Sequence, residues 1–345
     1  MVGSMIHERC VAMNVDYISL FVDRLNKRNP VLEPFLFHQP STIEFMEKTR
    51  SFWPDAHRDP ELMAKLAMAP VKYSCFNVYV VPFGITYEAE AFGAYVKYGS
   101  KTAPPTVIRP VDDVSKIKIP NDPLISPLDI VAKATKIIKE NDNTRPVIES
   151  MSGPFTAIAQ ALGIPKTIRY LMSNDDKLNN ILDNVTNFLI ELYNSLIELG
   201  GDIIVILEPV ASLIGPKRFE KLLKPYIKKL INKVKVPIIL HICGNATPLL
   251  EKVLQISPNA FSFDHNTKLK EAVNILKGKV LLVGNIDPVS VLWRGTKEEI
   301  YEKTKKALEE GIDIPAPGCG LAIETPIRNL DIFCKAVNDY RKEKG

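Results

Sequence analysis

The chain has 345 residues, 46% of them hydrophobic, with 44 Lys plus Arg against 40 Asp plus Glu and a formal net charge of +4. That composition supplies a core and excludes a disordered or polyelectrolyte chain. No run reaches the roughly 18 apolar residues of a membrane span. The opening MVGSMIHERCVAMN carries charge too early for a secretory leader, and five widely spaced cysteines fit thiols in a reducing cytosol rather than a disulfide framework.

In chain order, eight apolar, β-branched runs recur: VLEPFLF (31–37), NVYVVPF (77–83), RPVIES (145–150), DIIVILEP (202–209), VPIILHIC (236–243), AFSFDH (260–265), KVLLVGNID (279–287) and IDIPAPGC (312–319). They are continuous rather than alternating, as in parallel strands buried on both faces. Helical patterns lie between them. The stretch 178–201 places Ile181, Val185, Phe188, Leu192 and Leu196 on one stripe and ends at a Gly pair. The stretch 296–311 opens on a Thr296/Glu299 capping box, and 325–340 is expected to start with Thr325 as N-cap and Pro326 in the first turn, as Thr247 and Pro248 do earlier. The basic stretch 217–235 spaces its cations between apolar residues at helical period, the pattern of a solvated helix face. It lacks the interleaved aromatics of a nucleic-acid surface.

Eight strands alternating with helices predict one domain over residues 1–345, a (β/α)8 TIM barrel with an N-terminal extension over 1–30 and an insertion after strand 2, within 84–144. The alternative is a doubly wound open sheet. That fold carries a glycine-rich phosphate turn after its first strand, where this chain reads HQPSTIEF.

Strand side chains alternate faces, so His241 and Cys243 point the same way at the C-terminal end of their strand, the active face of a parallel barrel. The last strand ends in Ala-Pro-Gly-Cys-Gly, which brings Cys319 to the same mouth. Three N and S donors suit a tetrahedral zinc ion with one position open. Two thiolates cancel the ion's charge, and a third sulfur from a substrate would leave the site electron-rich. The site thus suits activation of a thiol more than hydrolysis. The competing reading is that His241 and Cys243 are core residues and Cys319 a packed turn residue.

The other candidates have weaker signals. Cys334 shares a helical stripe with Ile327, Leu330 and Val337, Cys75 enters a strand, and Cys10 lies in the terminal segment. His57, in the polar stretch PDAHRDPE, is expected at the surface or as a cap, whereas His38 and His265 stand at strand ends. Glu149, Glu208, Asp264 and Asp287 also stand at strand ends, where a carboxylate can ligate a metal, hold a ligand histidine, take a proton from a thiol or cap the next helix. Glu208 and Asp264 are the carboxylates chosen as catalytic candidates. Glu88 and Glu90 can complement a helix N-terminus, and Glu90 joins His38 as a candidate cofactor-binding residue.

HICGN, Cys319 in APGCGLA, GPFT (153–156), EPVAS (208–212) and FWPDAHRDPELMAKLA (52–67) together resemble the methylcobamide:coenzyme M methyltransferases of the uroporphyrinogen decarboxylase superfamily. The likeness runs from about residue 30 to the C-terminus. It implies a (β/α)8 barrel whose zinc, on His241, Cys243 and Cys319, binds the thiol of coenzyme M. It implies a methyl-Co(III) corrinoid on a separate protein as donor, and methylotrophic methanogenesis in the cytoplasm as the setting. Glu208 stands where the group has aspartate, Asp264 where it has glutamate, and HQPS at the first strand end is unusual for the group. The rival readings keep the site with another thiol or methylthiol, or make the chain a non-catalytic partner of a corrinoid protein.

Overall fold

The computed structural model describes residues 16–173 and 176–344. Seven parallel strands form one curled sheet in the order β1 (Tyr79–Val81), β4 (Val147–Ser152), β5 (Ile203–Leu207), β6 (Ile238–Ile242), β7 (Ala260–Phe263), β8 (Leu281–Ile286) and β9 (Ile314–Pro317). The chain is thus an α/β protein of TIM-barrel fold. The strands β1, β4, β5, β6, β7 and β9 are buried along their whole length, which is why their sequences read as continuous apolar runs.

The eighth predicted strand, 31–37, is a correction. It lies along β9, giving Val31 N–H to Asp313 O at 3.0 Å and Phe35 N–H to Pro315 O at 3.0 Å, yet it builds no regular ladder. Pro34, Pro315 and Pro317 have no N–H to donate, so the pairing is broken at alternate positions. Side chains do the fastening instead. Glu33 Oε2 accepts from the Tyr17 hydroxyl at 2.6 Å and from Asn77 Nδ2 at 3.4 Å, tying this segment to the helix Tyr17–Asn26 and to the approach to β1.

The insertion after β1 contains an antiparallel hairpin, β2 (Tyr95–Lys97) with β3 (Thr106–Arg109), before the chain returns through the helix Leu128–Asn141 to β4. The helix predicted over 178–201 runs Asp176–Glu198, and the helix Lys297–Glu309 begins with the expected Thr296/Glu299 capping box. The last helix starts at Ile327, and its N-cap prediction fails: Thr325 Oγ1 is buried without a partner, while Glu44 Oε2, from a different helix, accepts from Ile327 N at 2.9 Å. Thr247 does not cap its own helix either, because its hydroxyl accepts from Lys268 N at 3.0 Å. In the basic stretch, Phe219, Leu223, Ile227 and Leu230 are buried and the cations face outward, as the spacing predicts.

Cys75 and Cys334, 259 residues apart in the chain, lie side by side with Cα atoms 6.3 Å apart, within the range a disulfide can bridge. The last helix turns Cys334 toward the segment that enters β1, a proximity no local pattern encodes. Cys243 and Cys319 are free, and Cys10 lies outside the described residues. No described helix is long and apolar enough to cross a membrane.

Candidate metal centre

His241 is the fourth residue of β6, paired in register with Leu207 on one side and Ser262 on the other. Its side chain therefore points into the barrel with Cys243 two residues later. Gly318 and Gly320 let the chain after β9 turn Cys319 inward: a side chain at Gly318 would sit 3.2 Å from His265 N, and one at Gly320 would sit 2.7 Å from Gln39 Cβ. His241, Cys243 and Cys319 then offer ligand atoms that all lie within 4.8 Å of one another. The two sulfurs are 3.7 Å apart.

His241 is held by one nitrogen only. Nδ1 is 3.1 Å from Ser262 Oγ, while Nε2 is buried with no hydrogen-bond partner. A buried, unpaired ring nitrogen costs on the order of 1–3 kcal/mol unless something binds it. Cys243 donates to Cys319, which pushes the Cys319 thiol well below its ordinary range against the effect of burial, with His241 helping. The same hydrogen bond, with burial, pushes Cys243 up. Two cysteine sulfurs beside an unpaired imidazole nitrogen are a donor set able to hold a cation.

Asp264 joins this group. Its Oδ2 is 3.3 Å from Cys243 Sγ, and its Oδ1 accepts from Asn266 N at 2.8 Å. Burial disfavours its charge, but the hydrogen bonds from Asn266 and Cys243 and the nearby His265 hold its carboxyl below the usual range. His265 bridges Asp264 Oδ1 at 3.2 Å and Asp287 Oδ2 at 3.4 Å. Asp287 also caps the turn that follows it, accepting from Val289 N and Ser290 N.

Glu208 is placed differently. It is fully buried, and accepts from Phe155 N at 3.0 Å and from Thr156 N and Oγ1 at 3.0 and 2.8 Å. These contacts cap the helix Pro154–Leu162 that follows β4. Burial pushes its carboxyl up to about 7 against those three bonds. Glu149 points away from the mouth, toward Thr135 Oγ1 at 2.6 Å in the helix layer, because it alternates with Ser150 on β4. Glu88 is buried against Ser152, accepting from its N at 2.7 Å and its hydroxyl at 3.0 Å, and Glu90 accepts from the hydroxyl of Tyr98, the residue after β2. Neither Glu88 nor Glu90 is in the three-residue cluster.

A cavity of about 490 Å³ opens beside the cluster, lined by Cys319, His38, Trp53, Gln160 and the Thr102–Thr106 end of the hairpin loop. His38 Nδ1 is 3.1 Å from Ser150 Oγ, and burial lowers its pKa to about 4, so the ring is neutral near pH 7. His57 is not at the surface as expected. It is fully buried beneath the cavity wall, its ring 4.6 Å from that of Trp53 and its Nδ1 3.2 Å from the Tyr87 hydroxyl. The residues that sequence reasoning missed are the two serines, Ser150 and Ser262. Their signal was present, since each interrupts an apolar strand on the side that faces the lumen.

The profile of the uroporphyrinogen decarboxylase family matches residues 25–340. The chain is 38% identical to the methylcobamide:CoM methyltransferase MtbA of Methanosarcina mazei over 92% of its own length and 96% of the relative's. It is 34% identical to the MtbA of Methanosarcina acetivorans over 92% and 96%. A solved methyltransferase from Methanosarcina mazei superposes with a TM-score of 0.88 at 31% identity, covering 93% of this chain and 98% of that one. The chain belongs to the uroporphyrinogen decarboxylase family, and within it to the enzymes of the methylcobamide:CoM methyltransferase type.

Proposed function

We propose that the chain is a zinc enzyme that moves a methyl group from a corrinoid, carried by a partner protein, to the thiol of coenzyme M. The observation that carries the zinc reading is the cluster's geometry. Two sulfurs bound at about 2.3 Å to a tetrahedral ion stand about 3.8 Å apart. Cys243 and Cys319 are 3.7 Å apart, and the unpaired Nε2 of His241 completes three donors. The names of the relatives support the corrinoid donor and the thiol acceptor.

His241, Cys243 and Cys319 would hold the ion and leave one position open. When bound, the ion would lower the pKa of an incoming thiol so that it reacts as thiolate at neutral pH. The remaining tasks fall to the chain. Ser262 fixes the His241 ring by accepting from Nδ1, so that Nε2 keeps its lone pair for the ion. Asp264 Oδ2, beside Cys243, takes the proton the acceptor thiol gives up. A bound corrinoid would supply the methyl group, and the barrel mouth would have to admit it so that the methyl faces the acceptor sulfur. His38 lines the cavity through which the thiol enters, whereas Glu208 supports the site by anchoring the helix after β4.

The purified protein should carry about one zinc per chain. It should demethylate methylcobalamin in the presence of coenzyme M. Cys243→Ala and Cys319→Ala should lose the metal and the activity while keeping the native circular dichroism. Zinc K-edge absorption should gain a sulfur neighbour when coenzyme M is added. A Cys319→Ala protein that kept both zinc and wild-type methyl transfer would remove that ligand from the site.

A further inference from the structure

The barrel does not close through its backbone. Strands β1 and β9 stand at the two ends of the sheet order and do not pair with each other. The segment 31–37 bonds to β9 through Val31 and Phe35, and among the described residues no backbone hydrogen bond joins it to β1. A seam is left, and side chains span it. Asn77 Nδ2 donates to Glu33 Oε2 at 3.4 Å, and Arg341 Nη1, from the last helix, stands 3.7 Å from Glu33 Oε1.

The last helix also grips the chain on the β1 side of this seam. Ser74 Oγ donates to Asp331 Oδ1 at 2.9 Å, and the Phe76 and Phe333 rings stack with centroids 6.3 Å apart. Between these two contacts Cys75 lies against Cys334, with Cα atoms 6.3 Å apart. Three consecutive residues that lead into β1 thus each meet a residue of one turn of the helix. The hydrogen bond and the ring stack hold the two cysteines in register without any help from sulfur. Both cysteines are buried, Cys75 at 8% exposure and Cys334 at 3%, so Cys75 is the easier of the two to reach.

We propose that Cys75 and Cys334 form a thiol–disulfide pair whose oxidation staples the last helix across the open seam of the barrel. The oxidant is a low-molecular-weight disulfide. The Cys75 thiolate attacks one of its sulfurs and releases a first thiol. The Cys334 thiolate then attacks the Cys75 sulfur of the mixed disulfide and releases a second. The protein loses two hydrogens, and the oxidant leaves as two thiols. In a reducing medium the pair rests as two thiols and the seam is held by side chains alone. The new bond joins residues 259 apart, so it strongly restricts the unfolded chain. The last helix follows the loop that carries Cys319, so the staple anchors the far end of that loop. The pair is separate from His241, Cys243 and Cys319, and the proposal stands without the methyl-transfer reading.

The test uses the protein as purified, equilibrated either with excess oxidised glutathione or with a phosphine reductant. Remaining thiols are alkylated after denaturation, and the chain is digested without reduction for mass spectrometry. The peptide that carries Cys75 should appear linked to the one that carries Cys334 in the oxidised sample and as two alkylated peptides in the reduced one. The oxidised protein should melt about 3–8 °C above the reduced protein, and protease should cut its last helix more slowly. Cys75→Ala and Cys334→Ala should each abolish both differences. The peptide map of the wild-type chain decides the pairing whether or not these variants fold. Cys75 and Cys334 recovered as alkylated thiols from the oxidised sample, or linked instead to Cys243 or Cys319, would overturn the proposal. A Cys75–Cys334 link that left melting and proteolysis unchanged would overturn its role in closing the seam.

Discussion

Removing one hydroxyl group, in Ser262→Ala, tests the reasoning about the metal centre most directly. Ser262 is fully buried on β7, opposite His241 in the register, with its Oγ 3.1 Å from Nδ1. The substitution deletes a single oxygen from a strand that keeps every backbone bond, so the barrel should fold. The imidazole loses the bond that fixes its rotation and holds the proton on Nδ1. Loss of such an outer partner weakens metal binding by about 10- to 100-fold, or about 1.4–2.7 kcal/mol. Competition with a chromogenic zinc chelator at pH 7 measures this change directly. Ser262→Thr, which restores the hydroxyl, should recover most of the affinity, and the unfolding free energy of the metal-free protein should fall by only about 1 kcal/mol. A zinc dissociation constant identical in wild type and Ser262→Ala would refute the argument that the unpaired Nε2 is aimed at a metal.

Three further outcomes follow from the carboxylates. Glu208→Gln turns an amide NH2 toward donors at Thr156, leaves one of them unpaired, and should cost about 2 kcal/mol in urea unfolding with zinc content intact; lost turnover at unchanged stability would instead make Glu208 catalytic. Asp264→Asn should lower kcat/KM about a hundredfold, as expected for a lost proton acceptor, while the protein retains its zinc. Glu149 is pushed by burial from 4.5 up to about 8, so the folded chain keeps a proton that the unfolded chain releases. Its stabilising contribution is therefore complete below pH 4.5 and is lost as pH rises from there through about 8, so Glu149→Gln should flatten the fall in Tm across that range; an equally steep fall in the variant would contradict this.

What was legible in the sequence followed from local periodicity. Unbroken apolar runs marked the parallel strands because both faces of such a sheet are buried, and seven of the eight predicted runs pair as predicted. The exception, 31–37, lies in strand position without a ladder, since the missing N–H groups of three prolines matter only once it meets β9. The two-residue period of a strand also put His241 and Cys243 on one face, and the placement of Cys319 at another strand's end made the cluster readable. No local pattern could show which residues complete the site. Ser262 meets His241, Ser150 meets His38 and Glu44 caps a helix 283 residues away because strand register and helix packing bring them together. Likewise, Glu208 and Asp264 have the same chemistry at equivalent strand ends, yet one faces three donors of a helix N-terminus and the other a cysteine sulfur. The sequence by itself determined the barrel and its donor atoms, through periods that span a few residues. Tertiary structure decided each carboxylate's and hydroxyl's partner, because hydrogen bonding acts over about 3 Å between atoms that the chain separates by tens to hundreds of residues.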